Sequence, residues 1–226
     1  MTKERAATIE VDGITWRRLP IKTHVITNDD DIAEVIDRYS AEQRRPDDWV
    51  TVSEKVVAIT QGRAIPESEI KIGLLASCLW RFVHNSPYGT GLRRPSSMQC
   101  AINECGAGRI LLAAIVGALG KLIGRRGDFY RIAGVQAATI DAAGTSPLQL
   151  DCVILGPRDP AATVAAIKAR TGLEAAVMDI NDIGGSWALA ATAGIDPRLI
   201  EKIMSDNPCG QTTEQTPFAL IRREAN

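Results

Sequence analysis

"AAVMDINDIGG" (175–185) begins as an apolar run and breaks abruptly into Asp179, Asn181, Asp182 and two glycines. The run suits a buried strand, and the glycine pair suits a tight exit from it. Desolvating a carboxylate is costly, so the polar end has two readings. It is a plain turn, in which Asp, Asn and Gly supply local hydrogen bonds and positive φ, or it is a site at the carboxyl end of a strand that binds a cation or a phosphate. The elements around this strand decide the fold.

Further strand-like runs stand at 7–11 (ATIEV), 23–27 (THVIT), 49–53 (WVTVS) and 56–60 (VVAIT), then at 137–140 (AATI), 151–155 (DCVIL) and 218–221 (FALI). Their β-branched content and flanking turn residues support strands. Helical patterns lie between them. "DDIAEVIDRYSAEQ" (30–43) has acids in its first turn and sets Ile32, Val35, Ile36 and Tyr39 on one face. Asp159-Pro160 opens a helix that can close on Gly172, and Asp196-Pro197 repeats the device. Strands and helices mix without strict alternation, which predicts an α+β fold on a mixed sheet. Residues 71–131 differ in character, with "LLASCLWRFV" (74–83), a helix from Ser96 or Ser97, and an Ala-rich helix from Arg109. They read as a helical insertion packed on the sheet within one domain spanning 1–226.

At 226 residues the chain can bury one sizeable core. A 45% hydrophobic and 23% charged composition is ordinary, and a formal net charge of −1 offers no global field for nucleic acid or membrane. Any basic feature must be local. Five irregularly spaced cysteines without a CxxC pair, and two histidines, argue against a zinc ribbon, a His-rich metal site or a Ser-His-Asp triad. The start, "MTKERAATIEVDG", has no apolar h-region, and the longest apolar stretch, 110–123, is short for a span. The expectation is a reduced, cytoplasmic protein without nucleic-acid or membrane partners.

No GxxxxGK[ST] occurs, and "GTGLRR" (89–94) fails GxGxxG at Arg94. Three features remain, each with a bland alternative. Asp179 and Asn181 sit where a strand ends. "SDNPCGQTTEQTP" (205–217) gathers Asp206, Gln211 and other oxygen donors in one loop, which is either a solvated loop or a set suited to Mg²⁺ or Mn²⁺. Arg93/Arg94 and Arg125/Arg126 lie beside glycines, as surface turns or as forks for phosphate or carboxylate. Trp80, Phe129 and Tyr130 are core residues or stacking platforms. Cys100 and Cys105 read as small buried hydrophobes.

Set in order, "LPIKT" (19–23), "DDDIAEVI" (29–36), "DDWVTVSEKVVAITQGR" (47–63), "AATIDAAG" (137–144), "ILGPRDP" (154–160) and "VMDINDIGG" (177–185) resemble the γ-glutamyl ligase family of the deazaflavin coenzyme F-420. The most specific block is "SEKVVAITQGR", where Gln61 stands for the family's usual Glu. The 71–131 segment looks like a bacterial sub-branch. Ile183-Gly184-Gly185-Ser186-Trp187 lacks the arginines that normally follow the family's Asp-x-Asn-Gly, and the chain stops at Asn226, short of the family's Gly-rich nucleotide loop.

The resemblance implies a mixed sheet of the ligase type, a homodimer, and GTP (or ATP) with Mg²⁺ or Mn²⁺. It implies a small-molecule or coenzyme carboxylate activated as an acyl phosphate and joined to an amine, with L-glutamate as partner. It places Asp179 and Asp206 as catalytic metal ligands and Asn181 at the nucleotide. Lys22, Lys55, Arg125 and Arg126 would offset phosphate charge, Ser53 would hydrogen-bond the nucleotide, and Gln211 would contact it. A second reading keeps the fold as a phosphate- or nucleotide-binding protein, or as another phosphoryl-transfer enzyme; Asp179 and Asp206 lying far apart would favour it. A third, a partner-binding role, would show as a large apolar face on helix 109–123.

Overall fold

The computed structural model describes residues 6–83, 91–125, 127–146, 148–181, 185–210 and 213–224. The chain runs β1 (Thr8–Val11), β2 (Ile14–Ile21), α1 (Ile32–Ser40), β3 (Trp49–Ser53), α2 (Glu54–Thr60) and β4 (Ala64–Pro66). Then come α3 (Leu74–Leu79), α4 (Pro95–Cys105), α5 (Ala107–Leu122), α6 (Asp128–Ala133), α7 (Val135–Ala138) and β5 (Cys152–Ile154). It closes with α8 (Pro160–Thr171), β6 (Glu174–Asn181), β7 (Gly185–Ala191), α9 (Pro197–Ile203) and β8 (Phe218–Arg223). Two units emerge: 1–62 with 157–226, and 63–156.

The first unit is a six-stranded mixed sheet in the order β1-β2-β8-β3-β6-β7. Only β3 and β6 pair in parallel; the other neighbours are antiparallel. The α+β expectation with a mixed sheet therefore holds. Alternation along the strands sends side chains to opposite faces. One face gathers Ile21, Val50, Val52, Ala175, Val177, Phe218 and Leu220 with residues of α1, α2 and α8. The other gathers Trp16, Ala176, Met178, Ala219 and Ile221 with Ile200, Ile203 and Met204 of α9 and its exit. Asp31, a first-turn acid in the sequence reading, instead caps α1 and accepts from Glu34 N at 2.9 Å, and Asp159 caps α8 as expected, accepting from Ala162 N at 3.0 Å. Asp196 accepts from Arg198 N at 2.9 Å.

Local propensity misplaces three strands. VVAIT (56–60) is the body of α2, which follows β3 with no intervening loop and buries Val57, Ala58 and Ile59. Its β-branched content yields to tertiary packing. THVIT (23–27) is irregular, and Thr23 N makes one ladder-like bond to Gln215 O, 2.9 Å. AATI (137–140) ends α7. The actual second strand, β2, hides behind two arginines, a tryptophan and Pro20. Pro20, which has no N–H to give, stands opposite Ala219 of β8 and outside the described pairing of β1 with β2. Asp12-Gly13, both at positive φ, turn β1 into β2.

The second unit is largely helical, with α3 to α7 and the hairpin β4–β5. Its own core contains Leu92, Met98, Ile110, Ala113, Ile140 and Val153. Trp80, Phe129 and Tyr130 are partly buried against that core, which settles them as packing residues. Burial pushes the Tyr130 hydroxyl pKa up.

Candidate functional site

β2, β3 and β6 run in one direction, with β8 reversed between β2 and β3. Registers place Ile21, Phe218, Val52 and Val177 in one row across the sheet. The next positions outward are Lys22, Pro217, Ser53 and Met178. Ser53 N donates to Pro217 O at 2.9 Å, which continues the row beyond the regular ladder. Asp179 is one residue farther out and Asn181 ends β6 opposite Gly185. Lys55 is the second residue of α2, which leaves Ser53 directly. Lys22, Ser53, Lys55, Asp179 and Asn181 thus meet at the carboxyl edge of three strands. At the usual strand spacing the row spans about 14 Å. Lys22 is exposed there and Ser53, Lys55 and Asp179 are half-buried; alternation sets Lys22 and Ser53 on the α9 side with Met178.

Asp179 lies on the Val177 side of the sheet, toward α1, α2 and α8. Directly opposite it on β7 stands Trp187, 44% exposed. Sequence reasoning missed this ring; a tryptophan just after a glycine pair at a strand start was its only signal.

Asp206 lies elsewhere. Arg18, fully buried, shares the α9 face with Trp16 and binds both oxygens of Asp206, with Nη2 to Oδ2 at 3.1 Å and a closer Nη1–Oδ1 contact. Its Nη1 also donates to Ile203 O at 3.1 Å. Arg18 is three residues back along β2 from Ile21, or about 10 Å from the edge. The structure therefore does not bring Asp179 and Asp206 together: the sheet stands between them, and Asp206 neutralises a buried guanidinium. That separation is the sign attached above to the second reading. Arg125 belongs to the helical unit, where its Nε meets Asp128 Oδ2 at 3.2 Å. Arg126 and Gln211 lie outside the described residues, as does Asp182.

The "TQGR" part of the most specific motif is structural. Gln61 clamps the Arg158 backbone from both sides: Oε1 accepts from Arg158 N at 2.6 Å and Nε2 donates to Arg158 O at 3.0 Å. A Glu could only accept, so Gln is the residue this clamp needs. Gly62 takes φ +66° to end the α2 turn, and Arg63 is buried against Gly156 O and Glu104.

Beside Lys22, His24 links two other side chains, with Nε2 to Asp30 Oδ1 at 2.9 Å and Nδ1 to Tyr39 Oη at 2.9 Å. The Thr27 backbone N–H, and then His24, hold the Asp30 carboxyl below its usual value. Burial pushes the Cys100 thiol up to about 11, so it is no nucleophile at neutral pH.

Among the described residues no group of three or more His, Cys, Asp or Glu gathers as a metal centre. Mg²⁺, however, is commonly held by one or two carboxylates plus substrate phosphates and water. One carboxylate, Asp179, on the same sheet edge as Lys22 and Lys55 fits a cation that arrives on a nucleotide better than a resident ion.

The family model for F420-0:gamma-glutamyl ligase matches residues 20–196. The chain belongs to that family. A search of curated proteins found no match. The F420-0:gamma-glutamyl ligase match contains Lys22, Ser53, Lys55, Arg125, Asp179 and Asn181, and it ends before Asp206. The edge row is thus inside the family's span, whereas the Arg18–Asp206 pair draws its carboxylate from beyond it. Among the described residues no single helix is long and apolar enough to cross a membrane.

Proposed function

We propose that the protein is a nucleotide-dependent carboxylate–amine ligase that adds L-glutamate to F420-0, with its active site at the carboxyl edge of β2, β3 and β6. The observation that carries this reading is the single row of Lys22, Ser53 and Met178–Asp179, in a chain of the ligase family. Open sheets with helices on their faces bind ligands outside the carboxyl ends of their strands.

A carboxylate oxygen of the acceptor attacks the γ-phosphorus of GTP, giving an acyl phosphate and GDP. The amine of glutamate then attacks the acyl carbon, phosphate leaves, and the nitrogen loses a proton. Lys22 and Lys55 offset charge on the transferring phosphoryl group, and Ser53 hydrogen-bonds the nucleotide. Trp187 offers a ring face to the base. Asp179 would hold the nucleotide's Mg²⁺ or Mn²⁺, which would supply charge neutralisation at the phosphates. Asp206 is a structural partner of Arg18 in this scheme and leaves the metal set.

The test is incubation of the protein with F420-0, L-glutamate, GTP and Mn²⁺, read by mass spectrometry. A product heavier by one glutamyl residue, dependent on GTP, is expected. GTP-dependent binding without product would replace this reading with the second one, which the separation of Asp179 from Asp206 favours: a nucleotide-binding or other phosphoryl-transfer protein on the same fold.

A further inference from the structure

The helical unit carries an outward face that its own core does not use. On α5, Ile110, Ala113 and Gly120 point inward and are buried. The opposite side presents Leu111, Leu112, Ile115, Leu119 and Leu122, continued by Ile123, each between 45% and 83% exposed. At 100° per residue these side chains span an arc of about 120° centred between Ile115 and Leu119. From Leu111 to Ile123 the stripe is about 18 Å long. A contiguous apolar surface of this kind on a folded protein marks a contact.

The border of the stripe carries one sign of charge. Arg109 and Lys121, both exposed, stand about 120° to either side of Ile115 on the helix wheel. Arg125 follows the helix end. The acid of this region, Asp128, is buried and held by Arg125 and by Arg131, whose Nη1 lies 2.7 Å from Oδ1. Beside the stripe, α5 and α6 enclose a groove of about 470 Å³, lined by Val116, Leu119, Leu122, Ile123 and Ile132 with Arg125 and Arg131. Charge is also unevenly divided along the chain. Residues 63–156 contain ten Lys/Arg against six Asp/Glu, a formal +4, while the sheet unit has 16 against 21, a formal −5. The whole-chain value of −1 conceals this.

We infer that the α5 face docks flat on an anionic lipid bilayer, with the stripe among the acyl chains and Arg109, Lys121 and Arg125 at the headgroups. Apolar side chains on one helix face with cations along both borders are the chemistry of an interfacial helix. Lysine and arginine stems bury along apolar surface while their charges stay in the polar layer. A second copy of this chain is the alternative occupant, which sedimentation velocity in the test below distinguishes. This inference is independent of the ligase reading, since its readout requires no catalysis.

The experiment is co-sedimentation of the full-length protein with vesicles of phosphatidylcholine alone and with about one-third phosphatidylglycerol, alongside sedimentation velocity without lipid. Binding to the anionic vesicles, weakened by salt and absent on the neutral ones, is expected. Leu119→Glu with Leu122→Glu abolishes it. Lys121→Glu, which leaves the apolar stripe intact, lowers partitioning about tenfold. Because all three side chains point to solvent, unchanged circular dichroism and thermal midpoint confirm folding. Lack of sedimentation with anionic vesicles overturns the inference, as does binding that both variants retain. A wild-type dimer that Leu119→Glu with Leu122→Glu turns monomeric, without vesicle binding, assigns the face to a second copy and also overturns it.

Discussion

The two faces of the six-stranded sheet use carboxylates in opposite ways. On the α1/α2/α8 side, Asp179 stands at the carboxyl edge across from the half-exposed ring of Trp187. On the α9 side, Asp206 closes over the fully buried Arg18. One acid stands where substrate charge can enter; the other answers a charge the fold has already buried. In sequence both are an Asp shortly before a glycine, and nothing local distinguishes them. The difference comes from the strand that meets each one.

The strongest way to break this contrast is to remove each acid in turn. Asp179→Ala is expected to lower turnover by about 10²–10³-fold in a protein that stays folded, the usual cost of losing one transition-state charge contact. Steady-state glutamylation rates check it. Asp206→Ala is expected to leave turnover unchanged and to cost stability, because Arg18 loses its charged partner. At about 2–3 kcal/mol for a charged hydrogen-bonded contact, the midpoint of a chain this long falls by roughly 4–10 °C. Calorimetry on the two variants reads the contrast directly.

Acid titration sharpens it further. Asp30, Asp37 and Glu174 flank α1 and the α8–β6 junction, and all three have folded-state pKa values below their usual 3.8, 3.8 and 4.5. The causes, largest first, are the Thr27 backbone N–H, the Arg44 hydrogen bond and the Lys168 hydrogen bond, respectively. A depressed folded pKa contributes stability that is present above the unfolded value and lost as pH falls through the folded one. Denaturant midpoints should therefore hold constant above about pH 5 and drop below about pH 4. Asp37→Asn should flatten part of that drop. Amide exchange should show α1 loosening before the α9 face.

The smallest expected effect concerns the clamp between α2 and the loop before α8. Gln61→Glu places a second acceptor against Arg158 O and should cost about 1 kcal/mol. Gln61→Ala, which loses both bonds without repulsion, should cost no more. Urea unfolding of the pair checks this.

Much of the architecture was legible because its signals are local. Asp159 and Asp196 announce two helices by capping chemistry, the acids at the start of 30–43 a third, and β3, β6 and β8 show in their apolar, β-branched runs. The misread pieces are those in which tertiary context overrules propensity. Val56–Thr60 reads as a strand until the chain turns straight from Ser53 into α2. β2 reads as polar until Arg18 finds Asp206 some 188 positions away. At the site, Asp179 was legible as a strand-end acid and Lys22 and Ser53 through family resemblance. Their common row was not, since it depends on the order β2-β8-β3-β6, which no short motif encodes. Trp187 was passed over for the same reason: its importance is its position across from Asp179.

The most direct test of the central claim, that Asp179 and not Asp206 serves the nucleotide, is thermal unfolding with GTP, with and without Mn²⁺. It needs the wild-type protein, Asp179→Ala and Asp206→Ala. Ligand at about 100 times its dissociation constant adds roughly 2.7 kcal/mol, or about 5–10 °C for this length. The account predicts a Mn²⁺-dependent rise in the wild type, the same rise from a lower baseline in Asp206→Ala, and its loss in Asp179→Ala. A rise kept by Asp179→Ala and lost in Asp206→Ala would contradict it.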